Sequence, residues 1–206
     1  MADFTAKDIQ ALRHDTGTGM MDAKKALQDA GGDLDKAKDL LRERGLAAAA
    51  KRTDRAQSQG IIGSYLHNQA GRPVIGVMVD LACETDFVAK TEGFAEAAND
   101  IAMHIAAANP GWVQQSDVPE DVLEKERSLI AAQARNEGKP DHIVEKIVDG
   151  RINSFYKANV LNDQEFVKAE KFDGTVGEMV KQLAASLGEN VSIAGFARLQ
   201  VGETAE

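Results

Sequence analysis

The sequence has 206 residues, of which 43% are apolar, so it is long enough to bury a core in one domain or two. Its formal net charge of -9 disfavours a direct nucleic-acid partner, because binding to a phosphate backbone depends on basic residues. The single cysteine, Cys83, excludes an intramolecular disulfide framework and favours a reducing, cytoplasmic location. No stretch has the composition of a membrane span or an export signal, so we expect neither.

The N-terminal segment predicts three short helices. Thr5 begins the first, and the glycines of Gly17-Thr18-Gly19 interrupt it. The second helix covers residues 20–30 and ends at a glycine pair that tolerates positive φ. Asp33 caps the third, which carries leucines at helical spacing and closes at Gly45. Three helices of this length form a minimal bundle, which we expect to be marginal alone and able to dock on another protein.

The rest of the chain predicts an antiparallel sheet with helices on one side. Two runs rich in β-branched residues, at 61–67 and 74–81, flank a loop of hairpin length, and a third strand is predicted at 191–201. Two long helices, each opened by a proline, follow one another with a very short connection. This connection forces an antiparallel helical hairpin at about 118–157.

These patterns divide the chain into three parts. We expect a helical domain at residues 1–46, a linker at 47–60, and a core domain with the helical hairpin at 61–206. The linker begins as a brief continuation of the third helix and then becomes polar. The expected fold class is therefore α+β, with a three-helix bundle preceding a three-stranded antiparallel sheet.

Catalytic chemistry has little support in the residues. A thiol hydrolase would use Cys83 as nucleophile with His67 or His104 as base, because a thiolate needs a nearby imidazole at neutral pH. Glu84 and Asp86 are instead expected to raise the pKa of this thiol. A cysteine at the end of an apolar strand is usually a small buried hydrophobic residue. We therefore expect a protein that is not an enzyme.

Metal and nucleotide sites are also not predicted. The four histidines have no ligand spacing. The sequence lacks both the phosphate-binding loop GxxxxGK[ST] and a strand-linked GxGxxG motif. We therefore expect no metal, no cofactor and no nucleotide site of its own.

Two segments suit binding to another protein. Met20 and Met21 follow a glycine-rich loop, where flexible thioethers form an adaptable surface, although burial in the bundle is the ordinary alternative. The stretch Glu84-Thr85-Asp86-Phe87-Val88 places an acidic residue beside a large aromatic one in a strand-to-helix connection. Two interpretations of this stretch stay open: a functional turn, or an ordinary capped turn whose Phe87 side chain folds inward.

Two long motifs resemble signatures of the elongation factor Ts family. They are LRHDTGTGMMDAKKAL at residues 12–27 and CETDFVA at residues 83–89. The resemblance extends through residues 63–67 and 138–167 and so covers essentially the whole chain. It departs at Glu84, where members of the family often have glutamine, and this leaves the role of Glu84 open.

The resemblance implies a guanine nucleotide exchange factor of translation elongation, which binds elongation factor Tu and promotes GDP release by disturbing the Mg²⁺ and phosphate site. It also implies a ubiquitin-associated-like fold for the helical bundle. Short members with one core pair as homodimers, so both homodimer and monomer stay open. A general interaction module without exchange activity is the alternative class. By similarity, the residues that contact elongation factor Tu are Arg13, Met20, Met21, Lys51, His67, Thr85, Asp86, Phe87, Val88, Phe166 and Val167.

Overall fold

A computed structural model describes residues 4–16 and 18–203 and has the α+β fold that the sequence predicts. The strands are β1 (Gln59–Gln69), β2 (Arg72–Cys83) and β3 (Ser192–Gln200). The helices are α1 (Ala6–Thr16), α2 (Met20–Asp29), α3 (Leu34–Ala50), α4 (Asp86–Ala89), α5 (Glu92–Ala108), α6 (Glu120–Asn136), α7 (Asp141–Asn159) and α8 (Val176–Leu187). The strands form one antiparallel sheet in the order β1-β2-β3.

The described residues divide into two compact units. The first contains those within 1–61, 81–95 and 180–192, and the second contains those within 62–80, 96–179 and 193–206. Each unit therefore combines segments that are distant in sequence. The three domains expected from the sequence stay a prediction.

The first unit contains the predicted three-helix bundle. Asp33 caps α3, as predicted, because its carboxylate accepts hydrogen bonds from the backbone N–H groups of Asp35 and Lys36, each at 3.1 Å. The glycine pair after α2 has positive φ angles of 66° and 90°. Gly17, part of the loop predicted between α1 and α2, lies outside the described residues. The bundle core consists of fully buried side chains from all three helices: Leu12, Ala23, Ala26, Leu27 and Ala37.

The third helix has no break at Gly45. The sequence predicts that α3 closes at this glycine, with a brief helical continuation in the linker, but a single helix runs through the residue to Ala50. A Cβ atom at position 45 would lie 3.1 Å from the Cβ atom of Ala185 on α8. The glycine therefore permits close packing of two helices and does not end one. A glycine in a helical pattern has either role, and the sequence around it does not distinguish them.

The hairpin of β1 and β2 has a tighter turn than predicted. Ala70-Gly71 alone connects the strands, and both residues have positive φ (51° and 80°), as in the type I′ turns that match the twist of a hairpin. Farther along β1, a Cβ atom at Gly63 would lie 2.5 Å from the carbonyl oxygen of Ala98 on α5. The glycine thus permits close contact between this strand and α5, which confirms that a helix packs on the sheet.

The predicted helical hairpin is confirmed in the second unit. Only residues 137–140 connect α6 with α7, so the two helices run antiparallel. The Trp112 ring lies 6.0 Å from the ring of Phe155 near the end of α7. The buried side chains of the two helices are Leu123, Ile130, Ala134, Val144 and Ile152.

Candidate functional site

The stretch that suits binding forms a short, exposed turn in the first unit. α4 is a single helical turn, and Thr85 caps it, because its hydroxyl oxygen accepts a hydrogen bond from the backbone N–H of Val88 at 3.5 Å. The side chain of Phe87 is 81% exposed. Of the two interpretations that the sequence leaves open, inward folding of Phe87 is therefore wrong.

Asp86 adds a negative charge next to this ring. Its carboxylate accepts a hydrogen bond from the Lys90 ammonium group at 2.6 Å. This hydrogen bond, more than any other interaction, holds the pKa of Asp86 below its usual value. The turn therefore presents an ionised carboxylate beside an apolar ring at neutral pH.

Cys83 precedes the turn and is fully buried. Its S–H group donates to the backbone oxygen of Thr85, with a sulfur to oxygen distance of 3.2 Å. Burial raises the pKa of the thiol, and the negative charge of Glu189 raises it further. The direction of this shift agrees with the sequence prediction, but the charge responsible is Glu189 and not Glu84 or Asp86. A buried, protonated thiol is not suited to nucleophilic attack.

Three residues hold the base of the turn, and we call Glu84, Glu189 and Asn190 the turn anchor. The Glu189 carboxylate accepts hydrogen bonds from the backbone N–H groups of Glu84 and Thr85, each at 3.0 Å, and from the Thr85 hydroxyl at 2.5 Å. The Glu84 carboxylate in return accepts from the backbone N–H of Asn190 at 2.7 Å. Arg55 adds a longer charged contact with Glu84 at 3.4 Å. Two chain segments thus exchange hydrogen bonds.

Sequence patterns did not predict the turn anchor. Glu189 and Asn190 directly follow Gly188, the glycine that ends α8, and no motif marks them. Their partners lie 104 to 106 positions away in the sequence. Helical and strand periodicities report only local neighbours, so they carry no signal for such a pair.

The predicted contact residues of the bundle are exposed. Met20 and Met21, at the start of α2, are 45% and 75% exposed, whereas Ala23 one turn later is fully buried. Burial of Met20 in the bundle, the alternative that the sequence left open, is therefore wrong. Arg13 on α1 and Lys51 at the end of α3 are also exposed.

The side chains of Phe166 and Val167, in the second unit, differ in their exposure to solvent. Phe166 is 4% exposed, and its ring stacks on His104 with ring centroids 5.8 Å apart. Val167 is 45% exposed. The backbone N–H of Phe166 also donates to the oxygen of Gly174 at 2.9 Å. Of this predicted pair, Val167 presents its side chain to solvent and Phe166 supports it from the core.

His104 holds this segment through a defined proton arrangement. Its Nδ1 accepts a hydrogen bond from the backbone N–H of Val167 at 3.2 Å, so Nε2 carries the proton and donates to Oε1 of Gln164 at 3.0 Å. The Gln164 amide in turn donates to the oxygen of Ala158 at 2.7 Å. Burial lowers the pKa of His104. A neutral imidazole with both nitrogens engaged cannot serve as the general base considered for Cys83.

His67 is exposed on β1, where its ring lies 6.4 Å from that of Tyr65 on the same strand. Alternate residues of a strand share a face, so the two rings lie side by side. The structure brings residues 85–88 together in one turn but distributes the remaining predicted contacts over both units. The first unit contains Arg13, Met20, Met21, Lys51 and residues 85–88, and the second contains His67, Phe166 and Val167.

The groups exposed at these positions suit binding and not bond chemistry. They include an aromatic ring and two thioethers, which are residue types enriched at protein interfaces, together with an ionised carboxylate. Among residues 4–16 and 18–203, no three His, Cys, Asp or Glu side chains are grouped to hold a metal ion. Within the same described part of the chain, every helix is too short or too polar to cross a lipid bilayer.

The sequence is similar to named proteins over nearly its whole length. A family model described as "Elongation factor TS" matches residues 9–203. An elongation factor Ts from Desulfitobacterium hafniense is 52% identical over 206 residues, which are 100% of this chain and 93% of that protein. An elongation factor Ts from Thermosipho melanesiensis is 47% identical over 200 residues, 97% of this chain and 100% of that protein. A third, from Moorella thermoacetica, is 48% identical over 200 residues, 97% of this chain and 96% of that protein.

Proposed function

Because this chain belongs to the elongation factor Ts family, whose members are nucleotide exchange factors of translation elongation, we propose that it binds elongation factor Tu and accelerates the release of GDP. The observation that carries this proposal is the Phe87 ring, which is exposed on a turn whose base is fixed by hydrogen bonds. A turn whose backbone is already fixed before binding loses little backbone entropy when its ring enters a partner. The chain would act in the cytoplasm, together with the translation machinery.

The proposed mechanism needs no bond chemistry from this chain. A GTPase holds its nucleotide through backbone amides around the phosphates and a coordinated Mg²⁺ ion. We assign Phe87 and Asp86 to the region beside that ion, where an apolar ring displaces ligand-bearing loops and a carboxylate repels phosphate oxygens. Thr85 and Val88 would complete this contact, and His67 is proposed as a further contact residue. By linkage, a factor that weakens GDP binding is itself bound less tightly by the GTPase that holds GDP.

The free energy needed to weaken nucleotide binding requires more than one contact. A thousandfold loss of nucleotide affinity corresponds to about 4 kcal/mol. Complete burial of a phenylalanine side chain contributes about 1.5 to 3 kcal/mol. Phe87 alone is therefore insufficient, and we propose a composite interface in which other groups hold the factor in place. These are Arg13, Met20 and Met21 against a helix of the GTPase domain, Lys51 beside them, and Val167, backed by Phe166, against a further domain.

Stopped-flow measurement of a fluorescent GDP leaving elongation factor Tu tests the assignment of Phe87. Phe87→Ala should slow the stimulated release at saturating factor, because the inserted group is lost. Leu34→Ala is a matched control, since it also shortens an exposed apolar side chain of the first unit and has no proposed contact. Unchanged rates for Phe87→Ala would remove this residue from the mechanism. Wild-type protein that leaves GDP release at its spontaneous rate would refute the proposed function itself.

We propose that the helical bundle, expected at residues 1–46 with a ubiquitin-associated-like fold and followed by the linker at 47–60, supplies affinity and not displacement. Met20→Ala should then weaken binding to nucleotide-free elongation factor Tu in a calorimetric titration. The maximum rate of GDP release at saturating factor should stay close to that of the wild type. A lowered maximum rate with unchanged affinity would contradict this division of roles.

We also propose that the chain forms a homodimer through the open face of its sheet. Gly63 faces α5, so its neighbours on β1 point to the opposite side. Large apolar side chains are exposed on the strands: Ile62, Leu66, Met78 and Leu199. Such a group of apolar side chains favours a second copy as partner. Size exclusion with light scattering should give a dimer for the wild type and a monomer for Leu66→Asp; a wild-type monomer at every concentration would contradict the proposal.

A further inference from the structure

We propose that Glu189 is a positioning residue for Phe87, because its carboxylate fixes the exposed turn in the orientation in which the ring enters its partner. This inference rests on the proposed function and adds to it a residue that is not among the proposed contacts with the GTPase. The group that Glu189 acts through is the backbone of Glu84 and Thr85. Glu189 therefore determines how the ring is held, not what it touches.

Side-chain burial gives the exposed turn little support. α4 has four residues and buries none of its side chains. Isolated helices shorter than about 12 residues are marginal in water, so this single turn does not persist through its own hydrogen bonds. The hydrophobic core does not fix it either, since its largest side chain points to solvent. Hydrogen bonds at its base must hold it.

Glu189 supplies those hydrogen bonds with an ionised acceptor. Two backbone N–H groups, of Glu84 and Thr85, converge on its Oε2 atom at 3.0 Å, and the Thr85 hydroxyl donates to Oε1 at 2.5 Å. Hydrogen bonds to a charged carboxylate are stronger and shorter than those between neutral groups. Three of them directed to one side chain fix both the position and the rotation of the backbone that enters α4.

The anchor is itself held from both sides. Asn190 is buried, and its backbone N–H donates to the Glu84 carboxylate at 2.7 Å. Its side-chain amide donates to the backbone oxygens of Thr53 at 3.0 Å and Arg55 at 2.9 Å. The segment that carries Glu189 is therefore tied to the residues that follow α3, so it is a fixed support for the turn.

Kinetics at saturating factor test this role in the full-length chain with fluorescent GDP bound to elongation factor Tu. Glu189→Ala should lower the maximum stimulated release rate by about tenfold or more, as expected when the group that acts on the partner loses its alignment. The concentration of factor at half-saturation should change little, because the other proposed contacts remain. Glu189→Gln should retain most of the rate, since its amide oxygen can accept from both N–H groups and its NH₂ can donate to the Thr85 hydroxyl.

A matched control and a double variant separate positioning from general stability. Glu178 also uses its carboxylate to accept a backbone hydrogen bond, from Thr175 at 2.9 Å, but it caps the start of α8. With the Glu178→Ala variant, GDP should leave elongation factor Tu at the wild-type rate. In a Phe87→Ala background, Glu189→Ala should cause no further loss, because both changes remove the same action of the ring.

Three results would overturn the inference while leaving the proposed function intact. The first is a GDP release rate with Glu189→Ala equal to that with Glu178→Ala. The second is a loss of rate from Glu189→Ala that is as large in the Phe87→Ala background as in the wild type. The third is a rate with Glu189→Gln as low as that with Glu189→Ala. If Glu189→Ala does not fold, amide hydrogen exchange of the wild type decides instead. The amides of Glu84 and Thr85 should be protected, and rapid exchange at both would refute the anchor.

Discussion

Two Phe-Val pairs in this chain expose opposite members to solvent. In the first unit, Phe87 is exposed and Val88 is half-buried, whereas in the second unit Phe166 is buried and Val167 is exposed. The two dipeptides are identical, so their sequence does not decide which side chain meets solvent. Residues elsewhere in the chain decide it, through contacts that fix the backbone on either side.

The two pairs are also held by different kinds of interaction. Phe166 stacks on the His104 ring, and the same ring accepts the N–H of Val167, so a buried aromatic pair supports an exposed valine. Phe87 has no such packing, and its turn depends on the hydrogen bonds of the turn anchor. A contact residue can therefore be supported either by side-chain packing or by backbone hydrogen bonding, and the two supports should respond differently to substitution.

The largest contrast is expected between the two phenylalanines. Phe166→Ala should lower the free energy of unfolding by about 3 to 5 kcal/mol, because it removes a buried ring and leaves a cavity. Phe87→Ala should change it by no more than about 0.5 kcal/mol, as for an ordinary surface position. Urea unfolding followed by circular dichroism measures both. Equal losses in the two variants would contradict a difference in packing between the two rings.

A smaller effect is expected at His104. His104→Leu leaves the N–H of Val167 and the side-chain oxygen of Gln164 without their partner, and a polar group left unsatisfied when buried costs about 1 to 3 kcal/mol. The free energy of unfolding should therefore fall by about 2 kcal/mol or more. His67→Leu, at an exposed histidine, is the matched control and should have little effect. The amide resonance of Val167 should shift only in the first variant.

Thr85 and Thr175 provide a pair of helix caps with different effects on function. Thr175→Ala should cost about 1 kcal/mol in urea unfolding, because its hydroxyl caps α8. Thr85→Ala should cost more than this, because its hydroxyl caps α4 and also donates to Glu189. Only Thr85→Ala should also slow GDP release, because only this residue precedes the exposed ring. Slow release in both variants would mean that a lost cap, and not the orientation of the turn, limits the rate.

The smallest expected effect is a pH dependence from His104. Burial lowers its pKa below the usual 6.5, so the folded chain binds this proton less readily than the unfolded chain does. Its contribution to stability is complete above pH 6.5 and is lost as pH falls from 6.5 through the lowered pKa. The slope cannot exceed about 1.4 kcal/mol per pH unit. Urea midpoints between pH 7.5 and 5 should show this decline, and His104→Gln should remove that part of it.

Local signals predicted the elements well. Asp33, the glycine pair after α2 and the prolines before α6 and α7 mark helix ends through interactions within a few residues, and the structure has helix ends there. Gly45 shows the limit of such signals. The sequence pattern predicts that Gly45 ends a helix, but this glycine permits α3 to pack on Ala185, a residue that is distant in sequence.

The candidate site was predictable only in part, for the same reason. The resemblance implies that Phe87 and Phe166 are contact residues, but it does not distinguish their exposure. The groups that hold their surroundings, Glu189 at Thr85 and His104 at Phe166, lie at distant positions in the sequence. The role of Glu84 stayed open in the sequence because its partner, Asn190, lies 106 residues away. Function followed from motifs, whereas orientation required the three-dimensional contacts.

The burial of Cys83 has a practical consequence for experiments on the exposed turn. It is the only cysteine in the chain, and its thiol is enclosed with a raised pKa, so thiol-reactive dyes should leave it unmodified under mild conditions. A single cysteine introduced elsewhere on the surface would then be the sole attachment point for a fluorophore. The wild-type sequence is in this sense already prepared for site-specific labelling, without replacing its native thiol.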